Sequence, residues 1–238
     1  IKVGHMNASE FSALLLLATA MSFSPGPNTT LSTAMAANLG LARAMPFVCA
    51  VPVGWGLLLI LCTLGLGALV LALPWLGWGI KLIGAAYLLW LAYRLAQTKT
   101  MGQADSAMVV GFWQGVALQF VNIKAWMLAL AIVSGWVAGH ADAAARLAVV
   151  MPVMLAYAFT SNLTYALAGS LLRHWLSGPD GSCTRLRWFN RIMALVLVLT
   201  VSFSFFILDR LGTGTETDRR QEKAIAHWMR SWTARFNN

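Results

Sequence analysis

The sequence predicts an all-α membrane protein: six transmembrane helices in two inverted three-helix repeats, with broken helices near the midplane. Three observations carry that prediction. Of the 238 residues, 59% are hydrophobic and 11% charged, and the mean hydropathy is +0.69, far from the balance of an ordinary soluble domain. The apolar residues gather into six runs of about 20, the length that crosses a bilayer as a helix. The first and fourth runs each carry a polar interruption near mid-depth, where a spanning helix has least reason for one. A soluble helical bundle is excluded because no polar helix faces remain to meet water.

The runs cover about 11–35, 46–72, 75–95, 111–136, 147–171 and 188–208. Trp75, Trp78, Trp113, Trp136, Trp175 and Trp188 fall near run ends, where indole rings settle at the interface. Residues 1–5 ahead of Met6 read as a cloning remnant and 6–208 as a six-helix transporter domain. Repeat one is expected at about 8–95 and repeat two at about 111–208. In 209–238, Ile225, Trp228, Met229, Trp232 and Phe236 stand at helical spacing among basic residues. That pattern suits a helix lying on the membrane surface; a flexible extension, or one added in cloning, fits it too.

Net charge is +9, but the basic residues are dispersed over loops and tail, so no nucleic-acid partner is expected. Arg43, Arg94, Lys99, Arg173, Arg185, Arg187 and Arg191 fall in or beside the first, third and fifth loops, against only Arg146 in the second and fourth. The positive-inside rule then places loops one, three and five in the cytoplasm and the N-terminus outside. The basic tail argues the other way, leaving the orientation of the termini open. Cys49, Cys62 and Cys183 form no CxxC pair, and His5, His140, His174 and His227 lie outside the runs. No metal, haem or other cofactor is expected.

In the first run, Leu14 to Ala20 resembles a signal-peptide core, but no positive charge precedes it after Met6, so it is read as part of a span. Further on stand Ser24, Pro25, Gly26, Pro27, Asn28 and Thr29. Each proline removes a backbone donor and clashes with the preceding turn, so the helix must break. With Ser24 as N-cap and Pro25 at the first helical position, a half-helix is expected to start here at depth. Its free N–H groups and positive dipole end can hold a carboxylate; a kink satisfied by neighbouring helices is the structural alternative. In the second run, Pro46, Pro52, Gly54 and Gly56 predict a kinked helix with a small-residue face, for hinging or for close packing. In the third, Trp78 with Lys81 near the start anticipates Trp188 with Arg191 in the sixth.

The fourth run holds Gln119, Asn122 and Lys124. Lys124 lies about 13 residues into the run, roughly 20 Å along a helix and too deep to snorkel easily. On an unbroken helix Asn122 and Lys124 point about 200° apart and Lys124 faces apolar neighbours. Local unwinding near 121–124 is therefore expected. Lys124 then either touches substrate or pins the carbonyls left free at the first break. In the fifth run, Asn162 and Tyr165 share a helical face, as do Ser161 and Tyr165, as amino-group ligands or as interhelical hydrogen bonds. Pro179-Asp180-Gly181 beyond it reads as a turn. Each polar interruption opens a group of three spans, and successive odd groups run in opposite directions, as an inverted repeat requires.

Ser24-Pro-Gly-Pro-Asn28, then Gly84-Ala-Ala-Tyr-Leu-Leu-Trp90, then Phe112-Trp-Gln-Gly-Val-Ala-Leu-Gln-Phe-Val-Asn-Ile-Lys124 resemble, in this order, the LysE/RhtB amino-acid exporter family over residues 8–208. The phrases 117–124 and 166–169 are similar to its cysteine/O-acetylserine exporter branch. Two departures from the family pattern stand out. Ile123 replaces a proline common in the fourth span, and Trp55 stands near where many relatives have an acidic residue. The resemblance implies efflux of small amino acids across a bacterial inner membrane by a multi-pass protein.

All eight acidic residues lie outside the runs or at their edges, so a cationic substrate side chain finds no counter-charge at the midplane. The expectation is a carrier for small neutral amino acids or derivatives, working by alternating access. Pro25, Gly26, Pro27, Asn28, Thr29, Gln119, Asn122, Lys124, Ser161, Asn162 and Tyr165 would bind substrate. The expected partners are that substrate and the lipid bilayer, with a homodimer left open. A channel or lipid-handling protein is the alternative class. An intramembrane enzyme ranks below it, for want of His-Glu-x-x-His, Gly-x-Ser-x-Gly or paired intramembrane carboxylates.

Overall fold

The structure, a computed structural model, describes residues 2, 3, 6–101, 109–178 and 183–212. The rest of the expected remnant 1–5, the turn at 179–181 and all but the start of the tail lie outside the described residues. Two compact units divide the chain, 1–201 and 202–238. The first holds the bundle; of the second, only the end of the last helix is described.

A short antiparallel pair, β1 (Lys2–Val3) and β2 (Met6–Asn7), leads into α1 (Ala8–Phe23). Asn7 caps α1 reciprocally with Glu10: its Oδ1 accepts from the Glu10 N–H at 2.8 Å, and Glu10 Oε2 accepts from the Asn7 N–H at 2.9 Å. Then follow α2 (Pro27–Leu39), α3 (Leu41–Thr63), α4 (Leu66–Ala72), α5 (Pro74–Gln97), α6 (Phe112–Val121), α7 (Ile123–Ile132), α8 (Ala143–Ser177) and α9 (Thr184–Gly212). A π-helical turn, Val133–Val137, extends α7.

Among the described residues, four helices are long and apolar enough to cross a membrane: Leu41–Thr63, Trp75–Gln97, Ala143–Ser177 and Thr184–Phe203. The pair Phe112–Val121 and Ile123–Val137, bent by 69°, makes a fifth when counted as one span. This is an all-α, multi-pass bundle. The first run is broken into two helices, α1 and α2, as expected, and α1, at 16 residues, is too short to count by itself. The second run ends early: Gly65, at φ 105°, turns the chain so that α4 is a separate helix. The helix itself continues past Pro46 and Pro52.

The broken helices and the long ones interlock. α2 is buried except at Asn28 and lies along α8 and α3, α6 lies along α3, and α3 and α8 pack on each other. Glycines permit the closest approaches. A Cβ on Gly169 of α8 would fall 2.2 Å from the Thr33 carbonyl oxygen of α2, and one on Gly54 of α3 would fall 2.6 Å from the Val116 carbonyl oxygen of α6. For Gly54, close packing is thus the role found.

Polar clasps mark the two ends of the bundle. At one end Arg146, opening α8, pairs with Asp142 at 3.0 Å and lies 3.5 Å from Glu10 of α1, while Trp136 Nε1 donates to the Glu10 carbonyl at 2.9 Å. Arg146 Nη1 has ion-pair distance to Glu10 but no hydrogen-bond acceptor. At the other end the buried amides of Asn38 and Asn190 bond reciprocally at 2.8 and 3.0 Å, and Asn190 also donates to the Thr98 carbonyl at 3.3 Å.

Candidate substrate site between two helix breaks

Two adjacent Xaa-Pro steps make the first break. A residue before proline is held out of the helical region, and accordingly Ser24 (φ −72°, ψ 140°) and Gly26 (φ −168°, ψ −179°) are both extended. α2 therefore starts at Pro27 with Gly26 as N-cap, two residues later than the expected Ser24 cap with Pro25 at the first position. Ser24 instead ends α1, its hydroxyl donating to the Met21 carbonyl at 3.0 Å. The Thr29 hydroxyl takes the capping role and accepts from the Gly26 N–H at 3.0 Å.

The second break needs no proline. Asn122 is extended (φ −87°, ψ 103°), and its side chain accepts from the Lys124 N–H at 3.2 Å, starting α7. The expected unwinding at 121–124 is found, confined to this one residue. Its consequence is that Lys124 turns toward the first break, where Nζ donates to the Ser24 carbonyl and hydroxyl oxygens, both at 2.8 Å. Carbonyls orphaned at the breaks find side-chain donors as well: Tyr165 OH donates to Phe23 O at 2.8 Å and Trp126 Nε1 to Phe120 O at 2.8 Å.

Between the breaks lies a cavity of about 60 Å³, room for a few water molecules. Of the expected site residues, Gly26, Pro27, Asn28, Thr29, Asn122, Lys124, Ser161 and Asn162 border it. Three do not. Gln119 lies behind Asn28, the two amides bonding reciprocally at 2.8 and 3.1 Å. Tyr165 caps Phe23, and Pro25 is exposed. Asn162 is partly committed, accepting from Ser32 Oγ at 3.0 Å and donating to Ala158 O at 2.8 Å.

The cavity wall is mostly apolar, and its charged and dipolar groups are donors. Among the described residues no acidic one borders it, two helix N-termini open onto it, and an ammonium with three N–H groups spends two on Ser24. The wall also includes residues the sequence did not single out as ligands: Ser22 from α1, Val51 and Trp55 from α3, Leu128 from α7 and Met154 from α8. Their apolar members look like ordinary span residues in sequence, since only packing reveals which face of a wholly apolar helix meets a cavity. Among the described residues no group of three or more His, Cys, Asp or Glu is placed to hold a metal.

The family described as LysE type translocator matches residues 19–208, which include both breaks and every wall of the cavity. The chain belongs to the LysE/RhtB family. It is 31% identical over 175 residues to a cysteine/O-acetylserine efflux protein of Klebsiella pneumoniae subsp. pneumoniae, covering 71% of this chain and 86% of that one. It is 30% identical over 186 residues to a cysteine/O-acetylserine efflux protein of Escherichia coli (strain K12), covering 76% and 89%. A protein of Shigella flexneri bearing the same description matches to the same extent. No solved structure matches the chain. This LysE-family protein is thus a transporter, a multi-pass membrane carrier of the bacterial inner membrane for small amino-acid-like molecules.

Proposed function

We propose that this LysE-family carrier exports small neutral amino acids or their derivatives, of the cysteine and O-acetylserine kind, by alternating access around the cavity between the breaks. One observation carries the proposal: Lys124 and the N-termini of α2 and α7 converge on one cavity that, among the described residues, no carboxylate borders. The substrate carboxylate is held by the remaining Lys124 N–H, the Asn122 amide and the first turn of α2. A cationic side chain has no counter-charge there and is excluded. The printed descriptions of the relatives, cysteine and O-acetylserine efflux, agree with a neutral cargo.

Lys124 plays both of the roles left open by the sequence. Bonded to Ser24 it holds the breaks together, and its third N–H meets the substrate. For the scaffold we propose six crossings in two inverted repeats, about 8–95 and 111–208, with α1–α2 and α6–α7 as the broken members. Two observations support this. Each broken helix packs on the long helix of the other half, and the neighbours of loops one, three and five meet at the Asn38–Asn190–Thr98 clasp, away from the Glu10–Arg146 clasp. The two clasps are then opposite gates, opened in turn. One chain builds the whole cavity, so the mechanism does not require a homodimer.

Efflux from proteoliposomes preloaded with labelled cysteine, O-acetylserine or lysine tests this. Saturable release of the neutral substrates without lysine is expected. Lysine release at a comparable rate would refute the electrostatic assignment, and unsaturable conductance would refute the carrier.

A further inference from the structure

Trp55 is the most buried indole at the cavity, 4% exposed. Buried tryptophans ordinarily give their N–H to an acceptor. The neighbouring indoles do so, Trp126 to Phe120 O and Trp136 to Glu10 O. Among the described residues Trp55 donates to no protein group, and its Nε1 is not a sealed side-chain atom without a partner. Trp55 lines the cavity, so a molecule held there is a candidate acceptor for this N–H.

The backbone beside the ring is closely packed. Trp55 sits between Gly54, whose absent Cβ would fall 2.6 Å from the Val116 carbonyl oxygen of α6, and Gly56, whose absent Cβ would fall 3.0 Å from Leu155 Cδ2 of α8. α3 is thus in close contact with both helices on either side of the tryptophan, which holds the backbone that carries the indole against the wall. Lys124, Asn122 and the first turn of α2 are engaged by the substrate carboxylate, which leaves this donor for the rest of the molecule.

We propose that Trp55 reads the substrate side chain: its indole N–H donates to an acceptor there, selecting small neutral amino acids with a hydroxyl or ester oxygen over apolar ones of the same shape. This assignment rests on the site proposed above. A buried donor left unpaired by an apolar analogue discriminates against that analogue, by about tenfold for one neutral hydrogen bond.

Serine and 2-aminobutyrate differ by a hydroxyl in place of a methyl, so their competition for efflux from proteoliposomes holding the full chain isolates the effect. The wild-type protein is expected to prefer serine about tenfold, and Trp55→Phe, which keeps an aromatic wall and deletes the N–H, to bring the ratio near one while still exporting 2-aminobutyrate. Equal export of the two by the wild type overturns the assignment without need of a variant, as does a Trp55→Phe protein that retains the preference. Lys124→Ala in the same assay separates the two failures. A lost flux in that variant with an unchanged Trp55→Phe ratio sinks only the role of Trp55, whereas near-normal flux sinks the site itself.

Discussion

The two helix breaks reach the same result by different chemistry. The first is written into the backbone, since Ser24-Pro25 and Gly26-Pro27 exclude helical geometry twice in four residues. At the second, Asn122 holds the chain extended and caps α7 with its side chain, while α5 comes up against the end of α6: a Cβ on Gly84 would lie 2.0 Å from the Val121 carbonyl oxygen. A break imposed by proline survives the loss of its neighbours. One held by a cap and by packing depends on them, and the cation that joins the breaks comes from this second, dependent one.

The largest test of that contrast is Lys124→Ala. It removes the only cation among the described residues that borders the cavity and leaves the Ser24 carbonyl without its donor; efflux is expected to fall by about two orders of magnitude, the scale of lost charge-assisted hydrogen bonds, with folded protein still in the membrane. Near-normal flux would refute the role of the cation. Next come two glycines. Gly84→Ala pushes a Cβ into backbone and is expected to cost about 1–3 kcal/mol, read as a lowered Tm in detergent. Gly26→Ala meets only the flexible end of Lys124, at 3.1 Å from Cδ and 3.2 Å from Nζ, in an extended backbone that any residue adopts. Its Tm should stay put while efflux drops about tenfold as the ammonium is displaced. A reversal of these two outcomes would mean that the second break is the sturdier.

Smaller effects sharpen the comparison. Asn122→Ala deletes the cap of α7 and is expected to lower stability by about 1 kcal/mol; an unchanged Tm would show the packing of α5 to suffice by itself. Ile123→Pro should be nearly silent, within about 0.5 kcal/mol and with efflux intact. Position 123 opens α7, where an N–H has no intrahelical partner, and Asn122 before it is already extended. A drop in Tm of many degrees in that variant would contradict the backbone described for the second break.

Legibility differed in the same way. Pro25, Gly26 and Pro27 announce a break in any context, but they mislead by two residues about where α2 begins, because a glycine that precedes proline is itself kept extended. Asn122 and Lys124 were found through a contradiction, two polar groups on opposite sides of an apolar helix, and unwinding was the way to resolve it. Gln119 and Tyr165 have the right residue types at the right depth, yet one braces Asn28 and the other caps Phe23. Sequence periodicity gives a face and a depth, and neither tells a wall residue from the one behind it. Trp55 was legible only as the place of a missing carboxylate.

By itself the sequence determined the membrane, the helical class, the places of the polar interruptions along the chain and the absence of acid beside them, since these follow from hydropathy, proline geometry and the cost of burying charge. Tertiary structure decided that Lys124 spans to Ser24, that the two breaks share one cavity, and that Trp55 lines it. Those facts depend on how helices far apart in the chain rotate and press together, down to the glycines at which their backbones touch, and no local pattern encodes that.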